Sequence, residues 1–131
     1  MSQLNAQAKL PRITAGILVG LGVALFLSYL VYLPMPEVFE KASVNGVGLI
    51  FYSLATAGSA FVAWGLMLGR MGPEGITRAS MMRATAIGFS LLGFMRLGTA
   101  VFPHTPFESM IFLPITEFIV FNALAFKLYK S

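Results

Sequence analysis

The sequence predicts an all-α fold, a four-helix transmembrane bundle with up-down-up-down topology and both termini in the cytoplasm. Hydrophobic residues make up 57% of the 131 residues and charged residues only 11%, whereas a soluble domain is about 25% charged. The apolar residues fall into four runs, each close to the roughly 20 residues that cross a bilayer. The runs are joined by short connections, and positive charge lies mostly on one side. We therefore expect a single integral membrane domain over residues 1–131.

The first two apolar runs predict helices over about residues 13–33 and 47–68. The first run is uncharged and ends before Pro34. Because it is longer than the apolar part of a signal peptide, we expect it to be retained as a membrane span. The second run ends at Gly69, shortly before Pro73, since glycine suits the end of a helix and proline cannot continue one.

The last two runs predict helices over about residues 78–102 and 106–129. The third helix ends before Pro103. The segment Thr105-Pro106-Phe107-Glu108 is typical of a capping box, in which side chains satisfy backbone donors at the start of a helix. Pro114 falls inside the predicted fourth helix, where it would remove a donor and kink the helix.

Lysine and arginine residues lie mainly on one side of the predicted bundle. That side holds Lys9, Arg12, Arg70, Arg78, Arg83, Lys127 and Lys130. The other side has Lys41 alone among the lysines and arginines. Because Lys and Arg favour the cytoplasmic flanks of membrane spans, we expect both termini in the cytoplasm and a location in the inner, cytoplasmic membrane.

Composition excludes several classes of function. The chain has no cysteine, so disulfides, iron–sulfur clusters and cysteine zinc sites are impossible. It has no aspartate and a single histidine, so it lacks a Ser-His-Asp set, and the evidence for a metal site is weak. Its basic residues flank apolar runs and do not form a patch. We therefore expect no cofactor, no metal and no nucleic-acid partner. We favour a non-enzymatic role over the remaining alternative, a membrane oxidoreductase, because no set of redox ligands is visible in the sequence.

Arg96 and Glu117 are charged residues inside the third and fourth predicted spans. At about 1.5 Å per residue they lie ~10 Å and ~13–14 Å from the same membrane surface, which predicts a buried ion pair between them. The pair could simply lock two helices together. Alternatively, it could form the polar floor of a site for a ligand headgroup or an ion. A third alternative is that Arg96 reaches the outer interface alone.

Four more polar residues are expected near the outer mouth of such a site: Thr99, His104, Glu108 and Thr116. The turn around His104 predicts a histidine in contact with water or headgroups. The alternative is a pH-sensing or ligand-binding role beside Glu108.

Aromatic residues with polar tips lie toward the ends of the predicted spans. They are Tyr29, Tyr32, Tyr52, Trp64 and Tyr129. Because such rings prefer the headgroup region, we expect them to anchor the protein at the membrane interface.

Gly16, Gly20 and Ala24 recur every four residues along the first helix. Such a stripe lets another backbone approach closely, which is how membrane helices pack. Two interpretations stay open. The stripe could pack the first helix on the second, or it could contact another protein subunit, including a second copy of this chain.

The second half of the chain resembles small bacterial four-helix membrane proteins of the DoxX-like group. Three features carry the resemblance: Gly93-Phe94-Met95-Arg96, the short turn from Pro103 to Phe107, and Pro114-Ile115-Thr116-Glu117. The resemblance implies a respiratory or assembly role, with Arg96 and Glu117 as the characteristic polar positions.

Two functions follow as hypotheses. The first is a non-enzymatic inner-membrane protein that acts as an accessory or assembly subunit of a larger membrane complex. The alternative is a binder or carrier of a small amphipathic molecule, a lipid or a quinone, at the intramembrane Arg96 and Glu117 site.

Overall fold

The computed structural model describes residues 2–40, 46–104 and 107–131, with the side chains of residues 2–8 and 40 left out. Within these ranges the fold is all-helical, as predicted, and it contains five α-helices and one short 3-10 turn. The elements are α1 (Ser2–Tyr32), α2 (Pro36–Glu40), α3 (Val47–Gly69), α4 (Arg78–Val101), the 3-10 turn Phe107–Ser109, and α5 (Phe112–Lys130).

Four of these helices are long and apolar enough to cross a membrane. The candidate spans are Lys9–Tyr32, Val47–Gly69, Arg78–Val101 and Phe112–Lys130. This agrees with the four spans expected from the apolar runs and indicates a multi-pass membrane protein. Helix α1 begins at Ser2, well before the predicted residue 13. The helix includes polar first turns and continues through Pro11.

Local sequence explains where two helices begin. Gly46 adopts a φ of +78°, a left-handed conformation that favours glycine, and α3 begins at the next residue. The Thr77 hydroxyl oxygen accepts a hydrogen bond from the Ser80 backbone N–H at 3.2 Å, so Thr77 caps the start of α4.

The predicted start of the last helix at residue 106 is wrong, and so is the kink at Pro114. Helix α5 begins at Phe112, after the 3-10 turn, and Pro114 is therefore its third residue. Backbone N–H groups in the first turn of a helix have no acceptor within it, so proline fits there without breaking a hydrogen bond. Thr105 of the proposed capping box lies outside the described residues.

Each long helix packs on the long helix next to it in sequence. The most extensive interface joins α1 to α3, a second joins α4 to α5, and a smaller one joins α3 to α4. Helices α1 and α4 meet at only a few residues.

Glycines bring the backbones of α1 and α3 together. A Cβ atom added to Gly22 would lie 2.5 Å from the carbonyl oxygen of Gly58, and one added to Gly65 would lie 2.8 Å from that of Ala15. Close approach of this kind is how membrane helices gain packing energy without a hydrophobic driving force.

The interpretation of Gly16, Gly20 and Ala24 as the internal packing stripe is wrong. All three residues are exposed, and a Cβ atom on Gly16 or Gly20 would meet no atom within 4 Å in the part of the chain that the structure describes. The rotation of α1 instead turns Ala15 and Gly22 toward α3. The choice between these two faces depends on the partner helix, and spacing along α1 alone does not determine it.

Candidate functional site

The predicted ion pair between α4 and α5 is present. Arg96 Nε lies 2.7 Å from Glu117 Oε2. The Arg96 side chain is 9% exposed and that of Glu117 is 30% exposed. The pair is therefore buried on the arginine side and open on the carboxylate side, and Arg96 does not reach out alone to the membrane interface.

Tyr52 of α3 joins this pair, which was not predicted. The Arg96 guanidinium carbon lies 4.1 Å from the centroid of the Tyr52 ring, a cation–π contact. The Tyr52 hydroxyl donates a hydrogen bond to Glu117 Oε2 at 3.5 Å. Three helices thus meet at one charge pair, and half-buried Tyr52 contacts these charges, where an interfacial anchor was expected.

The buried guanidinium keeps hydrogen-bonding capacity. Nη1 of Arg96 is buried and makes no hydrogen bond to any described residue, whereas Nε is in ion-pair contact with Glu117 Oε2. The positive charge is balanced by the nearby carboxylate and by the ring face of Tyr52. Buried donors in folded proteins are nearly always paired, so Nη1 is the donor of this ion pair whose partner is not among the described residues.

A second polar cluster joins α1, α4 and the turn that follows α4. The Tyr29 hydroxyl hydrogen-bonds both to Thr99 Oγ1 and to His104 Nε2, the latter at 3.0 Å. The Thr99 hydroxyl donates to the backbone oxygen of Met95 at 3.0 Å. Because Thr99 has one proton to give, Tyr29 donates to Thr99, and Tyr29 in turn accepts from His104. We infer that His104 carries its proton on Nε2.

The prediction that His104 faces water or headgroups is wrong. It is 6% exposed, and its ring packs edge-on against Tyr29, Tyr32 and Phe107 at centroid distances of 5.9, 5.5 and 5.3 Å. Gly48 makes room for this cluster, because a Cβ atom there would lie 2.6 Å from His104 Nδ1. Residues distant in sequence bury the histidine, so its local turn sequence could not reveal this.

Thr99, Glu108 and Thr116, which were expected at the outer mouth of a site, do not come together. Thr99 is completely buried beside Tyr29. Glu108 and Thr116 are exposed, and the Thr116 hydroxyl donates to the backbone oxygen of Phe112 at 2.8 Å. Tyr29 and Tyr32 are fully buried where interfacial anchors were expected, whereas Trp64 and Tyr129 are exposed.

The chemistry available at this site is ion pairing and hydrogen bonding. In the ranges that the structure describes, no three His, Asp or Glu side chains converge as metal ligands would. Four apolar grooves follow the surface, and neither Arg96 nor Glu117 lines any of these four.

Comparison with known proteins found no matching family model, no matching curated protein and no matching solved structure.

His104→Ala is expected to destabilise the protein by about 2–4 kcal/mol, because it removes a packed ring and leaves Tyr29 without its donor. His104→Phe keeps a ring but not the donor, so we expect it to cost less. The free energy of unfolding in mixed detergent micelles measures both. If His104→Ala stayed within about 0.5 kcal/mol of the wild type, the ring would be at the surface.

Proposed function

We propose that the chain is a multi-pass inner-membrane protein that acts without catalysis, as an accessory or assembly subunit of a larger membrane complex. Its four long helices cross the membrane in up-down-up-down order, and both termini lie in the cytoplasm. Stacking of Tyr32 on Phe51 and the contact of Arg96 with Glu117 support this order, since they join the end of one long helix to the start of the next. The basic residues at the opposite ends of the helices support the orientation.

One observation carries the proposal of a partner subunit. The stripe Gly16, Gly20 and Ala24 is exposed on α1, and no atom of the described residues lies within 4 Å of the Cβ positions of Gly16 and Gly20. The opposite face of α1 is already occupied by α3. A flat stripe of small residues in a bilayer lets a further helix approach closely, which large side chains would prevent. The resemblance to the DoxX-like group stays a prediction and agrees with an assembly role.

Gly20→Leu is the substitution that tests this proposal. It is expected to leave the melting temperature in detergent nearly unchanged, because its side chain enters open space. It is also expected to release the chain from the complex that the wild type forms in its own membrane. Native mass spectrometry after gentle solubilisation measures the partner and its stoichiometry.

Leu21→Phe is the matched control, since it enlarges an exposed side chain about 100° around the helix from Gly20. We expect this variant to keep the complex. A wild-type chain that carries no stoichiometric subunit, or a complex that Gly20→Leu leaves intact, would contradict the proposal.

A second candidate function is supported by the Nη1 donor of Arg96, which bonds to no described residue, and by the part-exposed carboxylate of Glu117. Such a site could bind the carbonyl or phosphate oxygen of an amphipathic molecule such as a quinone or a lipid. Titration with decylubiquinone distinguishes the two candidates. Saturable binding that is lost in Arg96→Met would favour the binder, and no binding would favour the accessory subunit.

A further inference from the structure

An apolar groove runs between α4 and α5, on a surface that neither interpretation of the Arg96 and Glu117 pair uses. Its volume is about 550 Å³. Residues from both helices line it, among them Ala86, Ser90, Phe94, Asn122, Phe126 and Tyr129. The groove is partly open to the outside of the protein, so a flexible chain can enter it from the bilayer.

Two cations flank one end of this groove. Arg83 is exposed and precedes Ala86 and Ile87 by three and four residues on α4, which puts it on the groove's own face of the helix. On α5, Lys130 Nζ lies 4.4 Å from the centroid of the Phe126 ring, and Phe126 lines the groove. Neither cation forms an ion pair with a residue that the structure describes.

The distance from the two cations to the far end of the groove matches one leaflet of a bilayer. Helix α4 rises about 16 Å from Arg83 to Phe94 at about 1.5 Å per residue. Half of a hydrocarbon core of about 30 Å is roughly 15 Å. An acyl chain whose headgroup lies at Arg83 and Lys130 would therefore extend to the far end of the groove. Basic residues at the mouth of an apolar groove between membrane helices are typical of anionic-lipid sites.

We propose that the groove between α4 and α5 binds one anionic phospholipid of the surrounding bilayer. Arg83 and Lys130 hold its phosphate, and one acyl chain lies along Ser90, Phe94 and Asn122. The charge selects an anionic headgroup over a zwitterionic one, and the apolar lining supplies the remaining affinity. This site is independent of the proposed partner subunit, because the small-residue stripe lies on α1.

Lipid retention measured by native mass spectrometry tests this proposal. The purified protein is mixed with equal amounts of phosphatidylglycerol and phosphatidylcholine in detergent. The wild type is expected to retain at least about tenfold more phosphatidylglycerol, since each basic residue near the headgroup contributes about 1 kcal/mol. Arg83→Gln/Lys130→Gln is expected to lose most of this preference. The control Lys9→Gln/Arg12→Gln removes the same charge from α1 and is expected to keep it.

Ser90→Phe tests the position of the acyl chain separately, because it fills the groove and leaves both cations in place. We expect it to reduce phosphatidylglycerol retention about tenfold, with an unchanged melting temperature in detergent. Equal retention of the two lipids by the wild type would overturn the proposal. Equal losses in Arg83→Gln/Lys130→Gln and in the α1 control would also overturn it. Full retention by Ser90→Phe would show that the lipid does not lie in the groove, and this too would overturn it.

Discussion

Gly58→Leu is expected to separate α1 from α3 and leave little folded protein. A Cβ atom at position 58 would lie 2.6 Å from the carbonyl oxygen of Gly22 and 3.2 Å from the backbone nitrogen of Phe26. These are backbone atoms, so the clash can be relieved only by moving α1 as a whole. Overpacking of a core costs about 1–3 kcal/mol, and a leucine against a facing backbone should reach or exceed the upper end of that range.

The measurement is the free energy of unfolding in mixed detergent micelles, with the yield of monodisperse protein as a second readout. Gly20→Leu is the matched control, since it makes the same change on α1 at a position where no described residue lies within 4 Å. Equal stability of the two leucine variants would contradict the description of the α1–α3 interface. The interface is the most extensive in the bundle, so its loss should also expose buried Tyr29 and Tyr32.

Glu117→Gln is expected to destabilise the protein by about 3 kcal/mol, because it leaves a buried guanidinium without its counter-charge. Arg96→Met should cost less, about 1–2 kcal/mol, because Glu117 is the more exposed partner and water or headgroups reach its carboxylate more easily than they reach the buried guanidinium.

Unfolding in the same micelles measures both single substitutions. Ser53→Ala is a suitable control, since Ser53 is exposed on α3 and close in sequence to Tyr52. We expect it to change stability by less than about 0.5 kcal/mol. If Glu117→Gln were as stable as this control, the carboxylate would not be needed to compensate Arg96.

The parts of the fold that depend on local sequence could be predicted. Runs of apolar residues locate the four membrane helices, because crossing a bilayer requires length and hydrophobicity whatever the partners are. The pairing of Arg96 with Glu117 was predicted correctly, although the short turn from which their depths were counted is not present, because α5 begins only at Phe112. An ion pair was the expected arrangement, because two charges in adjacent apolar helices have a lower free energy paired than apart.

The features that depend on neighbours distant in sequence could not be predicted. His104 is buried because Tyr29, Tyr32 and Gly48 surround it from α1 and α3. The Tyr52 contact with Arg96 requires the start of α3 to meet the end of α4.

The start of a helix also could not be predicted from local sequence alone. Pro114 is harmless only because α5 begins at Phe112, six residues later than the capping pattern predicted. The 3-10 turn before it replaces the expected first turns of the helix. A capping sequence shows that a helix start is chemically favourable, but not that the surrounding chain will adopt it.

The central claim is that Arg96 and Glu117 interact with each other across α4 and α5, and a double-mutant cycle tests it most directly. Unfolding free energies are measured for Arg96→Met, Glu117→Gln, the double variant and the wild type. We predict that the double variant is more stable than the sum of the two single effects implies, with a coupling of about 1–3 kcal/mol. Single effects that add to within about 0.5 kcal/mol would contradict the claim.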